Sequence, residues 1–182
     1  MKKIVFILFV AIVSMAAAIQ VNAQDSHQGT VSLNIKLHPI QTLLVNPAQG
    51  TVDLVYNSKA NYADGVTSNQ ADHLTIYSTG AFEISAKSEG TAFSSSLGDV
   101  IALNTVKLTS SVGTDGLAGA TYSTQDLSSD DAVIVASNTG GANKKINIAY
   151  AGAGSDTYIN NYRNAQNPTV YTTTVRYTIV AQ

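Results

Sequence analysis

The sequence predicts an all-β fold: an Ig-like antiparallel β-sandwich of about seven to nine strands. Three observations carry this. Apolar and polar residues alternate in short runs, as in Val31-Ser-Leu-Asn-Ile-Lys-Leu37 and Phe82-Glu-Ile-Ser-Ala86, the period of two expected of a strand with one face on a core. Gly, Asn, Ser and Pro punctuate those runs at short, regular intervals, as turns in a sandwich do. Beyond residue 23, no stretch of ten or more residues has helical apolar spacing.

The first 23 residues read as a secretory signal peptide. Lys2 and Lys3 form a basic start, Ile4 to Ile19 is a nearly unbroken apolar run, and Val21-Asn22-Ala23 is a small-residue cleavage motif. The alternative is an uncleaved membrane anchor, for which the apolar run is short against the ~20 residues a bilayer span needs. Cleavage leaves Gln24 to Gln182 as one domain of about 159 residues, with no membrane span. The expected location is therefore the periplasm, the cell surface or the extracellular space. The chain has no cysteine, which rules out a lipid-modified cysteine and leaves the fold without disulfides. Without Lys2 and Lys3, eight basic side chains face twelve acidic ones, a net charge near −4. No basic patch is visible, so nucleic acid is not an expected partner.

Thr30 to Leu37 is the cleanest alternation, with Val31, Leu33, Ile35 and Leu37 in one row. Pro39 ends it, because proline cannot donate to a ladder. Two readings stay open. The run is the first strand of the domain's own sheet, or it is a donor strand that completes a neighbouring subunit by β-strand addition. The first is the ordinary reading; the second draws on the run's position after the short polar lead Gln24 to Gly29 and on Pro39, which could detach it from the body.

Thr42 to Asn46 and Thr51 to Tyr56 are the next strands, the latter with Val52, Leu54 and Tyr56 aligned. Asn57 to Ala71 is polar and reads as a loop. His73 to Ser78 and Ala81 to Lys87 flank Thr79-Gly80, which reads as a hairpin. Ser88 to Gly98 is loop-like, with Phe93 plugging the core. Val100 to Leu103, Val106 to Leu108, Ala120 to Ser123, Ala132 to Ser137 and Lys145 to Ala151 complete the middle, with Ser110 to Gly119 as an exposed loop. Gly152 to Pro168 is rich in Gly, Asn and Tyr. The terminal run Thr169 to Ala181 is β-branched and aromatic, which suits a half-buried pleated surface. The expected core comprises Val31, Leu33, Ile35, Leu54, Leu74, Ile76, Phe82, Ile84, Leu108, Ile146, Ile148, Val175, Tyr177 and Ile179.

Motifs for catalysis are absent. His27, His38 and His73 stand apart from one another, so zinc or copper ligation has no support, and they read as solvated histidines at strand ends. No Gly-x-Ser-x-Gly elbow singles out a serine. Asp126, Asp130 and Asp131 lack the central Gly and distal Glu of a calcium loop and read as a polar turn. No enzyme, cofactor or metal is expected. The cluster Tyr158-Ile-Asn-Asn-Tyr162-Arg163-Asn164 has two readings. Tyrosine faces beside Asn and Arg donors suit a glycan; the other reading, which the absence of any Trp favours, is that Tyr158 and Tyr162 cover one end of the sandwich and anchor the loop.

The order of features is a signal peptide, an alternating first strand, Ser78-Thr-Gly-Ala-Phe-Glu-Ile84, and a terminal Tyr171-Thr-Thr-Thr-Val-Arg-Tyr-Thr-Ile179. That layout resembles exported bacterial surface domains of the pilin-like and WxL-like kind. The resemblance implies an Ig-like sandwich and a structural or adhesive role at the cell surface, as a fimbrial-type subunit. A secreted module for glycan or peptidoglycan is the alternative. The chain has no Trp and its penultimate residue is Ala181, so no site residue carries over.

Overall fold

A computed structural model describes residues 28–182. The expected signal peptide and His27 lie outside the described residues. The chain divides into two units, Met1–Leu37 and His38–Gln182, and each is described by itself.

In the first unit, residues 28–37 belong to no ladder or helix. Val31, Leu33, Ile35 and Leu37 are 91, 89, 82 and 87 % exposed. This corrects the expectation that Val31, Leu33 and Ile35 lie in the domain's own core. Alternation equips a segment to cover a core, but covering one takes a sheet edge to pair with, and no such ladder is formed among the described residues.

The second unit holds twelve strands. They are β1 (Gln41–Val45), β2 (Val66–Ser78), β3 (Phe82–Ser88), β4 (Ala92–Ser95), β5 (Val100–Ala102), β6 (Val106–Val112), β7 (Thr121–Tyr122), β8 (Thr124–Asp126), β9 (Ala132–Ser137), β10 (Gly141–Gly152), β11 (Tyr171–Thr172) and β12 (Val175–Ala181). Three antiparallel sheets result, in the orders β1-β2-β10-β6-β8, β12-β3-β9-β7 and β11-β4-β5. The expected all-β antiparallel sandwich is present. Leu74, Ile76, Leu108, Ile146 and Ile148 from the five-stranded sheet bury against Phe82, Ile84, Ile134 and Val135 from the four-stranded one. Period two does the sorting: in β3, Phe82, Ile84, Ala86 and Ser88 are buried while the residues between them are half-exposed.

Several elements differ from the sequence reading, each for a physical reason. Thr79-Gly80 is not a hairpin, since β2 and β3 lie in different sheets. The Thr79 N–H is held by the Ile40 carbonyl at 3.1 Å, so the turn carries the chain across the sandwich. The polar stretch Asn57 to Ala71 is not one loop. It contains a six-residue helix, α1 (Lys59–Asp64), whose Ser58 cap accepts from the Asn61 N–H at 3.2 Å. It also contains the first half of β2. A bulge in β2 hid that half: Asp72 sits at φ 50° with its N–H held by Asn147 Oδ1 at 2.7 Å, and the register against β10 shifts there. Thr51 to Tyr56 alternates in burial as a strand does but joins no ladder. The terminal run is two strands, because β11 pairs with β4 and β12 with β3. Thr173 lies at the break between them, its hydroxyl 2.6 Å from that of Ser88.

His73 is 2 % exposed, which corrects its reading as a solvated strand-end residue. The bulge beside it turns it into the core, next to Leu74. His38 is exposed, as read. No helix among the described residues is long and apolar enough to cross a membrane.

Candidate functional site

Residues 51–57 show the same alternation in structure that they show in sequence. Val52, Leu54 and Tyr56 are half-buried, and Thr51, Asp53, Val55 and Asn57 are exposed. Val52 and Leu54 pack on the core. The Tyr56 hydroxyl donates to the Ala153 carbonyl at 2.8 Å. Gly152, at the end of β10, permits this approach: a Cβ there would stand 2.4 Å from Tyr56 Oη and 3.2 Å from Leu54 Cδ1. The side chains are therefore seated as those of a strand would be. The backbone is not, since Thr51 to Tyr56 make no backbone–backbone hydrogen bond among the described residues. A segment with a strand's inner row and no ladder is an open edge.

That edge forms one wall of a cleft of about 730 Å³. Asn167 to Tyr171 line it as well and lead into β11, while Phe93, Ile101 and Val106 contribute apolar surface. Phe93, expected as a core plug from a loop, packs on the core from β4. Asp53 is the one charged side chain in the lining. With an apolar lining, Asn and Thr at the walls and no cation, the cleft suits a neutral occupant such as an extended polypeptide or a sugar ring, and has nothing to neutralise a phosphate or carboxylate.

The Tyr158 to Asn164 cluster is divided by the structure. Tyr158 and Tyr162 reach the cleft. The Tyr158 hydroxyl donates to the Thr105 carbonyl at 3.0 Å, and its ring stands edge-on to Tyr56 with centroids 4.9 Å apart. Burial, and then the neighbouring Tyr158, push the Tyr56 hydroxyl up to about 12. Tyr162 is 49 % exposed. Arg163 does not line the cleft. Its Nε and Nη2 each donate to Asp99 at 2.9 Å, and Nη1 donates to the Asn160 carbonyl at 2.8 Å. The hydrogen bond from Arg163 holds the Asp99 carboxyl below its ordinary range. This fork pins the loop after β10 to the turn before β5. Asn164 is exposed and also lies off the lining.

The polar turn at Asp126 to Asp131 distributes its carboxylates. Asp126 pairs with Lys107 at 2.6 Å, and Asp131 pairs with Lys87 at 2.8 Å. The sequence reading missed the cleft because two of its lining segments lie more than a hundred residues apart. The alternation at Val52, Leu54 and Tyr56 was the one signal available. No protein-family model matches the chain, and no curated protein is significantly similar to it.

Proposed function

We propose that this chain is an exported, non-enzymatic structural subunit that assembles by β-strand addition. The segment Thr30 to Leu37 of one copy enters the cleft of another and completes an Ig-like sandwich there. The observation that carries the reading is the exposure of Val31, Leu33, Ile35 and Leu37, all above 80 %. A row of four large apolar side chains left in water is a liability unless something covers it. Covering it contributes roughly 6–12 kcal/mol, an upper bound taken at about 1.5–3 kcal/mol per side chain. Backbone hydrogen bonds to the open edge at 51–57 add to that. The donor row and the receiving edge are each seven residues long, about 23 Å.

Light scattering on the chain from Gln24 to Gln182, over a hundredfold range of concentration, tests this. Oligomers that grow with concentration are expected. A folded monomer throughout that range would sink the reading. Occupation of the same cleft by a glycan is the second reading, favoured by the half-exposed Tyr162 at its rim. Glycan binding that is lost in Tyr162→Ala would support it.

A further inference from the structure

A line of polar groups, buried at His73 and Tyr150 and half-buried at Gln49 and Tyr177, runs from the 3-10 turn Pro47–Gln49 to β12. Its hydrogens can be placed without ambiguity. Gln49 Nε2 donates to the Ala71 carbonyl at 2.9 Å, and a carbonyl only accepts. The amide orientation is thereby fixed, and Oε1 faces His73 Nδ1 at 2.8 Å. A carboxamide oxygen only accepts, so Nδ1 carries the proton. In the neutral ring Nε2 is then a bare acceptor, and it takes the Tyr150 hydroxyl at 2.9 Å. The Tyr150 oxygen in turn accepts from the Tyr177 hydroxyl at 2.5 Å. Every hydrogen along the line points the same way, from β12 through β10 and β2 to the turn.

A second proton on His73 has one place to go, Nε2. Its arrival makes that nitrogen a donor, reverses its bond to the Tyr150 hydroxyl and turns one tyrosine hydrogen, that of Tyr150 or of Tyr177, out of the line. Nothing charged compensates for it. The groups facing the ring are Tyr150 from β10, Tyr177 from β12 and the uncharged Gln49 from the turn. Asp72, the nearest carboxylate in sequence, is bound to the N–H and hydroxyl of Thr114. Lys145, across from β2, donates to Thr75. Burial disfavours the charged ring and moves its titration below the ordinary histidine range.

The strand at the far end of the line is an edge strand. β12 pairs with β3 alone, and Val175, Tyr177 and Ile179 are only half-buried. We propose that the Gln49–His73–Tyr150–Tyr177 line is an acid-released lock that holds β12 onto the sandwich while His73 is neutral. The lock bears on the cleft as well. Gln49 lies two residues before the segment 51–57, and β12 follows the segment 167–171.

Amide hydrogen exchange on the full chain between pH 7.5 and 5.5, corrected for intrinsic rates, tests the lock above the range where carboxylates titrate. The unfolded value for histidine is near 6.5. Below it the opened state takes a proton that the closed state refuses, so protection in β12 should fall by up to about tenfold between pH 7.5 and 5.5. Protection in β9 should hold. His73→Gln, which keeps a donor and an acceptor but does not titrate, should give a flat profile in β12. Unchanged protection in the wild type, or equal losses in β12 and β9, overturns the proposal. Nitrogen-15 correlations of the His73 ring in the wild type supply a readout that needs no variant. They should show hydrogen on Nδ1 at neutral pH, and a ring protonated at Nε2 instead also overturns it.

Discussion

Replacing Leu33 and Ile35 with aspartate separates folding from assembly. Both side chains are already in water, 89 and 82 % exposed. Surface substitutions of that kind stay within about 0.5 kcal/mol of the parent. For a domain of this size that is a change in melting temperature of no more than about 2 °C. Assembly should respond very differently. Two apolar side chains that enter a cleft contribute roughly 3–6 kcal/mol, and at about 1.4 kcal/mol per decade their loss weakens self-association about 10²- to 10⁴-fold. Burying aspartate in their place adds to the loss. Thermal melts at a concentration where the parent is monomeric, paired with light scattering at one where it is assembled, give the two numbers. A double variant that melts well below the parent places Leu33 and Ile35 in a core. One that assembles as the parent does removes the segment from the interface. Either result refutes the reasoning.

Two further predictions concern the sandwich itself. Ile84 is fully buried in the middle of β3, so Ile84→Ala should cost about 2–5 kcal/mol in chemical denaturation; a loss under 1 kcal/mol would mean that this interface between the sheets is not the core. Tyr56 ionises near 12 in the folded chain against about 10 unfolded. Above pH 10 the unfolded state releases that proton first, so this contribution to stability is fully present below pH 10 and lost as pH rises toward 12. Urea melts between pH 8 and 11.5 on the parent and on Tyr56→Phe check it, and the parent alone should show this component of the decline.

How much of this was legible in the sequence depended on whether the information was local. Phe82 to Lys87 and Lys145 to Ala151 announce their inner faces by strict alternation, and both are strands. Val66 to Gln70 is polar and gives no such signal. It is a strand because β10 lies beside it, a fact the local sequence cannot carry. His73 was misplaced for a related reason: even-numbered residues face inward on both sides of the bulge, and His73 joins them because it lies within the irregularity between Gln70 and Leu74, which only a non-glycine residue at positive φ, Asp72, marks. The short helix α1 fell below the length at which periodicity can be read, although Ser58 and Gly65 are its start and stop signals.

At the site, the alternation of Val31 to Leu37 showed what the segment is suited to cover but not which sheet it would cover, so both readings stood. Arg163 looked free to meet a ligand because Asp99, which holds it, is 64 residues away. Val52, Leu54 and Tyr56 were legible as an inner row, whereas the missing ladder beside them was not, since pairing is a property of two segments.

The central claim, that one copy's Val31 to Leu37 fills another copy's cleft, is tested most directly by mixing two variants that each lack one half of the contact. Leu33→Asp/Ile35→Asp keeps the cleft and loses the donor row. Val170→Arg puts a charge at a half-exposed position on the cleft wall and keeps the donor row. Light scattering should find each variant monomeric alone, and an equimolar mixture should form a species of twice the mass that grows no further. A Val170→Arg chain that assembles by itself, or a mixture that stays monomeric while the parent assembles, would contradict it.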